Sequence, residues 1–372
     1  MHGGGAIRTA AVMQYLARRY RLDAIFFREA GSTDPRAALP AGLVEDTLLI
    51  DLPRHSRSAP ARLVRNLGRA WRDVPPLNDR FAGHEASAAA FARGRQWDTA
   101  IVEHFWCASY GEPLRGSARR LVLDLHNIES ALYTAYARSA HRMLAPLYQR
   151  FADSAARWER ELLPRFDTVL TASEADRERA GTGHVYPNTI PARSVPATAP
   201  QPRVIFSGNL EYQPNLEAVA HFARNIWPEL SATHPGLEWW ILGKNPNAVR
   251  DVIRGAPRIT LTGPVDDAIP YLAGSLAAVV PLLSGSGTRI KILEAWMAGV
   301  PVVSTSTGAE GLGCRDGTHL LIADAPRQFT SQVTRLIEDT ALRERIGGAG
   351  RQFFAEYFTW DAGWRVLELL GI

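Results

Sequence analysis

The stretch Ser284-Gly-Ser-Gly-Thr-Arg-Ile-Lys-Ile-Leu-Glu294 places glycines, two cations and a carboxylate inside one strand-to-helix passage. An apolar strand is expected over Ala277–Leu282 and a helix after the Gly/Ser loop. In such a loop Gly285, Ser286, Gly287 and Thr288 can bring backbone N–H groups close to a phosphate, and the helix N-terminus adds a positive dipole. Arg289 and Lys291 supply formal charge beside that turn, suited to a diphosphate. Lys291 and Glu294 are three apart and become neighbours on one helical face, where a carboxylate can accept two hydrogen bonds from a ribose diol. A glycine turn with solvated charges is the plainer reading. The convergence of all these groups in so short a span favours anion binding.

These residues can act only if strands and helices present them. Runs suited to parallel strands buried on both faces occur at Leu22–Phe27, Thr47–Leu52, Thr99–His104, Arg120–Leu125 and Asp167–Ala172. Others follow at Arg203–Ser207, Leu237–Leu242, Ile259–Thr262, Ala277–Leu282, Pro301–Thr305 and His319–Ala323. Amphipathic helices alternate with them. After Pro214, for example, Leu216, Val219, Ala223, Ile226 and Trp227 are expected on one face. The alternation predicts an α/β protein of two Rossmann-like, doubly wound domains.

The proline-rich stretch 188–202 reads as a linker. The expected organisation is a first domain over 1–190, a linker over 191–202, a second domain over 203–355 and a C-terminal helix over 356–372. The opening is unusual, because His2-Gly-Gly-Gly5 runs directly into a helical pattern with no strand before it. A glycine turn of this kind normally follows a central strand. The expectation is a start read too late, leaving the first domain without its first strand; a domain that truly lacks it is the alternative.

The composition is that of a water-soluble globular protein, with 46% hydrophobic and 22% charged residues and a net charge of +4. That modest charge does not imply nucleic acid. No apolar run approaches the roughly 18–20 residues of a membrane span, and no signal-peptide pattern opens the chain. Cys107 and Cys314 lie far apart and outside metal-ligand spacing. They read as ordinary buried thiols in a reducing compartment, which predicts a cytoplasmic protein. No aspartate-rich metal motif is present, so neither metal nor cofactor is expected. Of 42 basic residues only Lys244 and Lys291 are lysines, and a chain so biased to arginine keeps lysine where a compact ammonium matters.

The run Gly287-Thr-Arg-Ile-Lys-Ile-Leu-Glu-Ala-Trp-Met-Ala-Gly-Val-Pro-Val-Val-Ser304, continuing to Gly308-Ala-Glu-Gly-Leu312, resembles the C-terminal signature of glycosyltransferase family 4. Other segments match that family in order. His2–Arg8 is similar to its N-terminal glycine loop, and Asp124–Glu129 to the strand end that carries a histidine near the reacting sugar. Thr171–Glu174 and Tyr186–Asn188 resemble the end of its acceptor domain, and Phe206–Asn215 the glycine turn opening its donor domain. The resemblance implies a GT-B fold with two domains facing a cleft. It implies a retaining transferase that moves a sugar from a nucleotide-sugar donor to a glycan or lipid-linked acceptor, in cell-envelope polysaccharide assembly. It places donor contacts at Gly4, Gly5, Gly208, Asn209, Lys244, Val265, Gly285, Ser286, Gly287, Thr288, Arg289, Lys291 and Glu294. His126, Arg289 and Lys291 are the expected catalytic groups, and Arg8, Glu103 and Glu129 the expected acceptor contacts.

Two departures stand out. Relatives often carry a glutamate where this chain has Ser286, and cations after the donor-domain turn, where this chain reads Asn209-Leu-Glu-Tyr-Gln-Pro. Arg289 and Lys291 are expected to take over that charge neutralisation. His126 at a strand end could equally be held by backbone, and Lys244 could be a solvated loop lysine. From Arg54 to Arg72 the chain has arginines and no acid before Arg72. Arg62, Arg65, Arg69 and Arg72 fall on one helical face, with Leu63, Leu67, Ala70 and Trp71 opposite. That suits an interfacial helix on anionic lipid, at the inner face of a plasma membrane; a surface helix packed on its own domain is the alternative. A catalytically silent nucleotide-binding subunit and a different GT-B enzyme are the rival functions. A nicotinamide dehydrogenase is disfavoured, because no GxGxxG follows a strand.

Overall fold

The computed structural model describes residues 4–56, 58–285 and 289–372. The chain divides into two compact units, Met1–Asn188 with Trp364–Ile372, and Thr189–Gly363. The proline-rich stretch therefore groups with the second unit, and the last residues group with the first.

In the first unit β1 (Asp23–Glu29) and β2 (Asp46–Leu52) pair in parallel, residue for residue. A second parallel sheet runs β3 (Trp97–Glu103), β4 (Ala118–Asp124), β5 (Thr168–Thr171) and β6 (His184–Val185). No ladder joins β1 to β3 among the described residues. The two sheets nevertheless share a core. Ile25 of β1 packs against the cluster of Val102, Leu121, Leu123 and Val169, and the Trp97 indole donates to Asp23 Oδ2 at 2.9 Å. The helix Gly4–Leu16 is the first described element. The C-terminal residues close on it: the Trp364 indole donates to the Ala11 carbonyl at 2.9 Å, and the Tyr15 hydroxyl to the Ile372 carbonyl at 3.0 Å.

The second unit is one parallel sheet of β7 (Gln201–Ser207), β8 (Glu238–Leu242), β9 (Ile259–Gly263), β10 (Ser275–Val280), β11 (Val302–Ser304) and β12 (Leu321–Ile322). Its order is β12-β11-β10-β7-β8-β9. Chain order runs outward in both directions from the β7/β10 pair, so the crevice beyond the carboxyl ends of those two strands is the topological switch point, where open α/β sheets bind ligands. The strands are continuous apolar runs because helices cover both faces. Val204, Ile205, Trp239, Ile241, Val279, Val302 and Val303 are all buried.

The helix Gln213–Asn225 buries Asn215, Ala218, Val219, Phe222 and Ala223. Leu216, expected on that face, is only half-buried. The helix stops at Ile226, and Pro228 starts a separate one over Trp227–Thr233, as proline favours a first turn and cannot continue one.

Candidate functional site

In the second unit the site is built from two glycine turns and one helix start. β7 is followed by Gly208, whose N–H donates to the Leu242 carbonyl at 2.9 Å. Gly243 has φ +149, and a Cβ there would lie 1.7 Å from the Gly208 carbonyl oxygen. Only glycine lets these two backbones approach so closely. A Cβ on Gly208 would meet Asn215 at 2.7 Å and the Lys291 ammonium at 3.2 Å. The bare turn after β7 is thus where Lys291 ends.

Lys291 rises from the first turn of the helix Ile290–Met297. Its Nζ donates to Asn215 Oδ1 at 2.7 Å and stands 4.1 Å from the centroid of the Phe206 ring. Burial, then the charge of Arg289, pulls its pKa down to about 7. Arg289 is 5% exposed. Its guanidinium donates to the Gly285 carbonyl at 2.8 Å and the Thr307 carbonyl at 3.0 Å, which ties the loop after β10 to the turn after β11. The Ser284 hydroxyl donates to Glu217 Oε2 at 2.8 Å, fixing the same loop to the helix Gln213–Asn225. The Glu294 carboxylate makes no hydrogen bond or ion pair among the described residues. Burial first raises its pKa to about 7, against the lowering fields of Arg193 and Lys291. Lys291 and Glu294 thus share a helical face and feel each other's field, but form no direct ion pair.

Asn209 accepts from the Glu211 N–H at 3.1 Å and organises its turn. Lys244 is exposed, and its carbonyl accepts from Leu210 N–H at 3.1 Å. Val265, half-buried, follows β9 after the positive-φ Gly263. Ser286, Gly287 and Thr288 lie outside the described residues.

The first unit holds a second cluster at the carboxyl ends of β3 and β4. His126 Nε2 pairs with Glu103 Oε2 at 2.7 Å, and the Thr9 hydroxyl donates to the same oxygen at 2.9 Å. A neutral His126 therefore carries its proton on Nε2, leaving Nδ1 as an acceptor; that Nδ1 is buried with no partner. His104 holds φ +70, a backbone cost that non-glycine residues accept mainly where neighbours enforce it. Its ring stacks on Trp106 at 4.0 Å and lies 3.6 Å from the His126 ring. Burial, then His126 and Arg8, pushes the His104 pKa down to about 2, so it stays neutral.

Gly5 completes this cluster, because a Cβ there would lie 3.1 Å from His126 Nδ1. Gly4 precedes it at the helix start. Gly5→Val should lower transfer turnover by about a hundredfold, the cost of displacing a positioned group by about an ångström. The unfolding temperature should stay close to the parent's, and steady-state kinetics with a thermal melt checks both.

Two expected acceptor contacts have interior roles instead. Arg8 is 1% exposed. It gives Nε and Nη2 to Asp124 at 2.5 to 3.0 Å and Nη1 to the Tyr186 carbonyl at 2.6 Å. It is a buried brace, enclosed where an incoming sugar at the surface does not reach it. Glu129 is also 1% exposed. Burial, then the neighbouring Glu159 charge, raises its pKa to about 7. Glu159 caps that helix start, accepting from the Ser130 N–H at 3.0 Å. Glu103 is half-buried and engaged by His126 and Thr9 as described.

Glu103, Asp124 and His126 lie close enough to hold a metal ion. Both Asp124 oxygens already accept from the Arg8 guanidinium. Cys107 and Cys314 are free and half-buried, not fully buried. Burial pushes their pKa values up to about 12 and about 11, which leaves both thiols unreactive. No helix among the described residues is long and apolar enough to cross a membrane.

Sequence reasoning missed Asn215, Phe206, Thr9 and His104. Asn215 had one local signal, a lone amide on an otherwise apolar helix face. Phe206 and His104 stand within two residues of ones the sequence did mark, Gly208 and Glu103, but carry no signal of their own, and Thr9 is brought to Glu103 from 94 residues away.

Residues 201–339 match the family model of glycosyl transferases group 1. The chain is 29% identical over 143 residues to the lipopolysaccharide core biosynthesis glycosyltransferase LpsE of Rhizobium meliloti, over 36% of this chain and 41% of that protein. Less than half of that relative is therefore spanned. The fold is similar to sucrose-phosphate synthase from Thermosynechococcus elongatus, at TM-score 0.71 and 16% identity over 99% of this chain and 92% of that one. It is also similar to HepE of Anabaena, solved with UDP and glucose, at TM-score 0.65 and 14% identity over 100% of this chain and 96% of that one. The chain is a glycosyltransferase of the GT-B fold whose second unit carries, over residues 201–339, the domain of glycosyl transferases group 1.

Proposed function

We propose that the protein is a cytoplasmic, retaining glycosyltransferase that moves a sugar from a nucleoside-diphosphate sugar to a glycan or lipid-linked acceptor during cell-envelope polysaccharide assembly. The observation that carries this reading is the placement of Lys291 and Arg289 at the switch point of the second unit, against the bare Gly208 turn. HepE, solved with UDP and glucose, and LpsE, a lipopolysaccharide core transferase, support the donor class and the setting.

The chemistry follows from the groups present. The anomeric carbon–oxygen bond breaks and its electron pair passes to the departing diphosphate. Lys291, Arg289 and the loop amides stabilise that charge. Glu294 accepts from the ribose diol. In the retaining course the acceptor oxygen bonds to the anomeric carbon on the face the diphosphate leaves, and its proton passes to a diphosphate oxygen. His126, with Nδ1 free to accept, receives a hydroxyl of the transferring sugar, and Glu103 and Thr9 hold its orientation. Fixed protein cations carry the charge, so no metal is needed, and transfer should survive EDTA. Gly4, Gly5, Asn209, Lys244 and Val265 complete the donor contacts in this reading.

The test is a panel of nucleotide sugars with the purified chain, followed by NMR of the anomeric configuration of the product. An inverted product would remove the retaining course. No turnover or hydrolysis of any donor, with nucleotide binding retained, would favour the silent subunit.

Donor affinity should also follow a bell-shaped pH dependence centred near pH 7. Lys291 must be protonated to meet the diphosphate, so affinity is full below about 7 and falls as pH rises. Glu294 must be ionised to accept from the ribose, so affinity also falls as pH drops below about 7. Each limb should approach about one decade per pH unit. Titration calorimetry of Lys291→Arg should show the alkaline limb lost, and of Glu294→Gln the acid limb.

A further inference from the structure

The helix Ala59–Trp71 turns its apolar face to solvent. Leu63, Val64, Leu67 and Trp71 are exposed by 45%, 70%, 54% and 85%. Leu63, Leu67 and Trp71 are four apart and Val64 stands three before Leu67, so all four lie along one face. The side that packs inward is formed by Arg69 and Ala70, both buried. Arg69 donates to Asp79 at 2.7 Å, and Arg150 donates to the Ala70 carbonyl at 2.7 Å. A surface helix packed on its own domain would bury the leucines and the tryptophan. Here polar bonds and one alanine hold it, and the apolar stripe is left uncovered.

Beside this stripe opens a pocket of about 310 Å³, lined by Glu29, His55, Ser56, Arg62, Arg65 and Arg80. Three guanidinium groups face one carboxylate. Arg80 stands 3.8 Å from Glu29 and donates to the Pro53 carbonyl. Among the described residues Arg65 reaches only the Ser56 carbonyl, at 3.4 Å, and its buried Nε has no partner. Arg62 has no acid partner among the described residues. The His55 pKa is lowered, by burial first and then by Arg80, Arg65 and Arg69, as expected where positive potential accumulates.

A concave cluster of arginines with spare donors is suited to phosphate oxygens. A soluble anion would need the pocket alone. An apolar stripe ending in an 85%-exposed tryptophan, alongside basic side chains, is the make-up of a membrane-interface helix. We propose that this face docks on a bilayer containing anionic phospholipid, with a headgroup phosphate in the Arg62/Arg65/Arg80 pocket and Leu63, Val64, Leu67 and Trp71 entering the acyl boundary. The docking goes beyond sugar transfer and stands independently of it, because it is read without any donor.

Vesicle co-sedimentation of the full chain tests it, using phosphatidylcholine with and without phosphatidylglycerol. Binding should require the anionic lipid. Arg62→Ser with Arg65→Ser should weaken it at least about tenfold, and Leu67→Ser with Trp71→Ser at least as much. Arg250→Ser with Arg327→Ser, exposed arginines of the second unit, should leave it within about twofold. All these variants should melt near the parent temperature; where a pair does not, Trp71→Gln alone and Arg62→Gln alone replace it. Absence of binding to anionic vesicles overturns the proposal, and so does parent-like binding by either helix pair. Equal weakening by the control pair also overturns it, since bulk charge would then be the cause.

Discussion

Lys291→Ala should lower transfer from the nucleotide sugar by two or more orders of magnitude, while the protein melts at or above the parent temperature. The two halves of this result come from one fact. Lys291 is a buried amine whose pKa is drawn down to about 7 by desolvation and by Arg289. Without a ligand its charge costs free energy, so its loss does not weaken the fold. With a diphosphate in the turn after β7 the charge is matched, and most strongly so when the anomeric bond breaks and negative charge grows on the leaving group. A hundredfold loss corresponds to about 3 kcal/mol, the usual size of a fixed donor at a developing anion. The Asn215 amide and the Phe206 ring hold the ammonium in place, so little reorganisation remains for the reaction step. Lys291→Met keeps the stem and should behave like alanine in kinetics. Lys291→Arg should recover part of the rate, because a guanidinium must fit where only 3.2 Å separates the ammonium from a Cβ position on Gly208. Single-turnover kinetics measures all three. A loss of less than tenfold for alanine would place the charge neutralisation elsewhere.

The strands were legible because helices on both faces demand unbroken apolar runs, and such runs survive any ambiguity of period. Thr47–Leu52, Leu237–Leu242 and Pro301–Thr305 each contain or nearly match an observed strand. His184–Val185 is too short to leave a pattern, and Gln201 and Pro202 join β7 although their composition reads as linker. The donor turn was legible because its parts are close in sequence: Ser284 to Glu294 encodes loop, cations and carboxylate together. The His126 cluster was only half legible. Strand-end position marks His126, yet nothing local shows that Glu103 and Thr9 fix its tautomer, since those contacts span 23 and 94 residues of chain. Arginine at a helix start reads as a ligand contact, and only the fold reveals that Arg8 is consumed by Asp124. The helix Ala59–Trp71 shows a different limit. Periodicity establishes that it has a basic and an apolar face, but which face turns inward depends on Arg69, Ala70 and Asp79.

Arg8→Ala should destabilise the first unit by about 3–5 kcal/mol, the cost of leaving one member of a buried ion pair uncompensated. The pair is nearly completely enclosed, at 1% and 0% side-chain exposure. Its guanidinium meets both Asp124 oxygens and also the Tyr186 carbonyl and Asn188 Oδ1. Without Arg8, the Asp124 charge remains at the end of β4, 3.9 Å from His126 Nε2. His126 would then be drawn toward Asp124 and away from Glu103, so turnover should fall even in the molecules that stay folded. The loss is large against the 5–15 kcal/mol that typically holds a domain together. It should lower the unfolding temperature by roughly 10 °C. Replacing both partners, Arg8→Met with Asp124→Leu, removes the stranded charge and should restore most of the stability. It should not restore turnover, because the helix Gly4–Leu16 loses the bond that holds Gly5 against His126. Thermal melts and hydrogen exchange over residues 4–16 separate these effects. A shift below about 1 kcal/mol for Arg8→Ala would mean that the pair is solvated in solution and braces nothing.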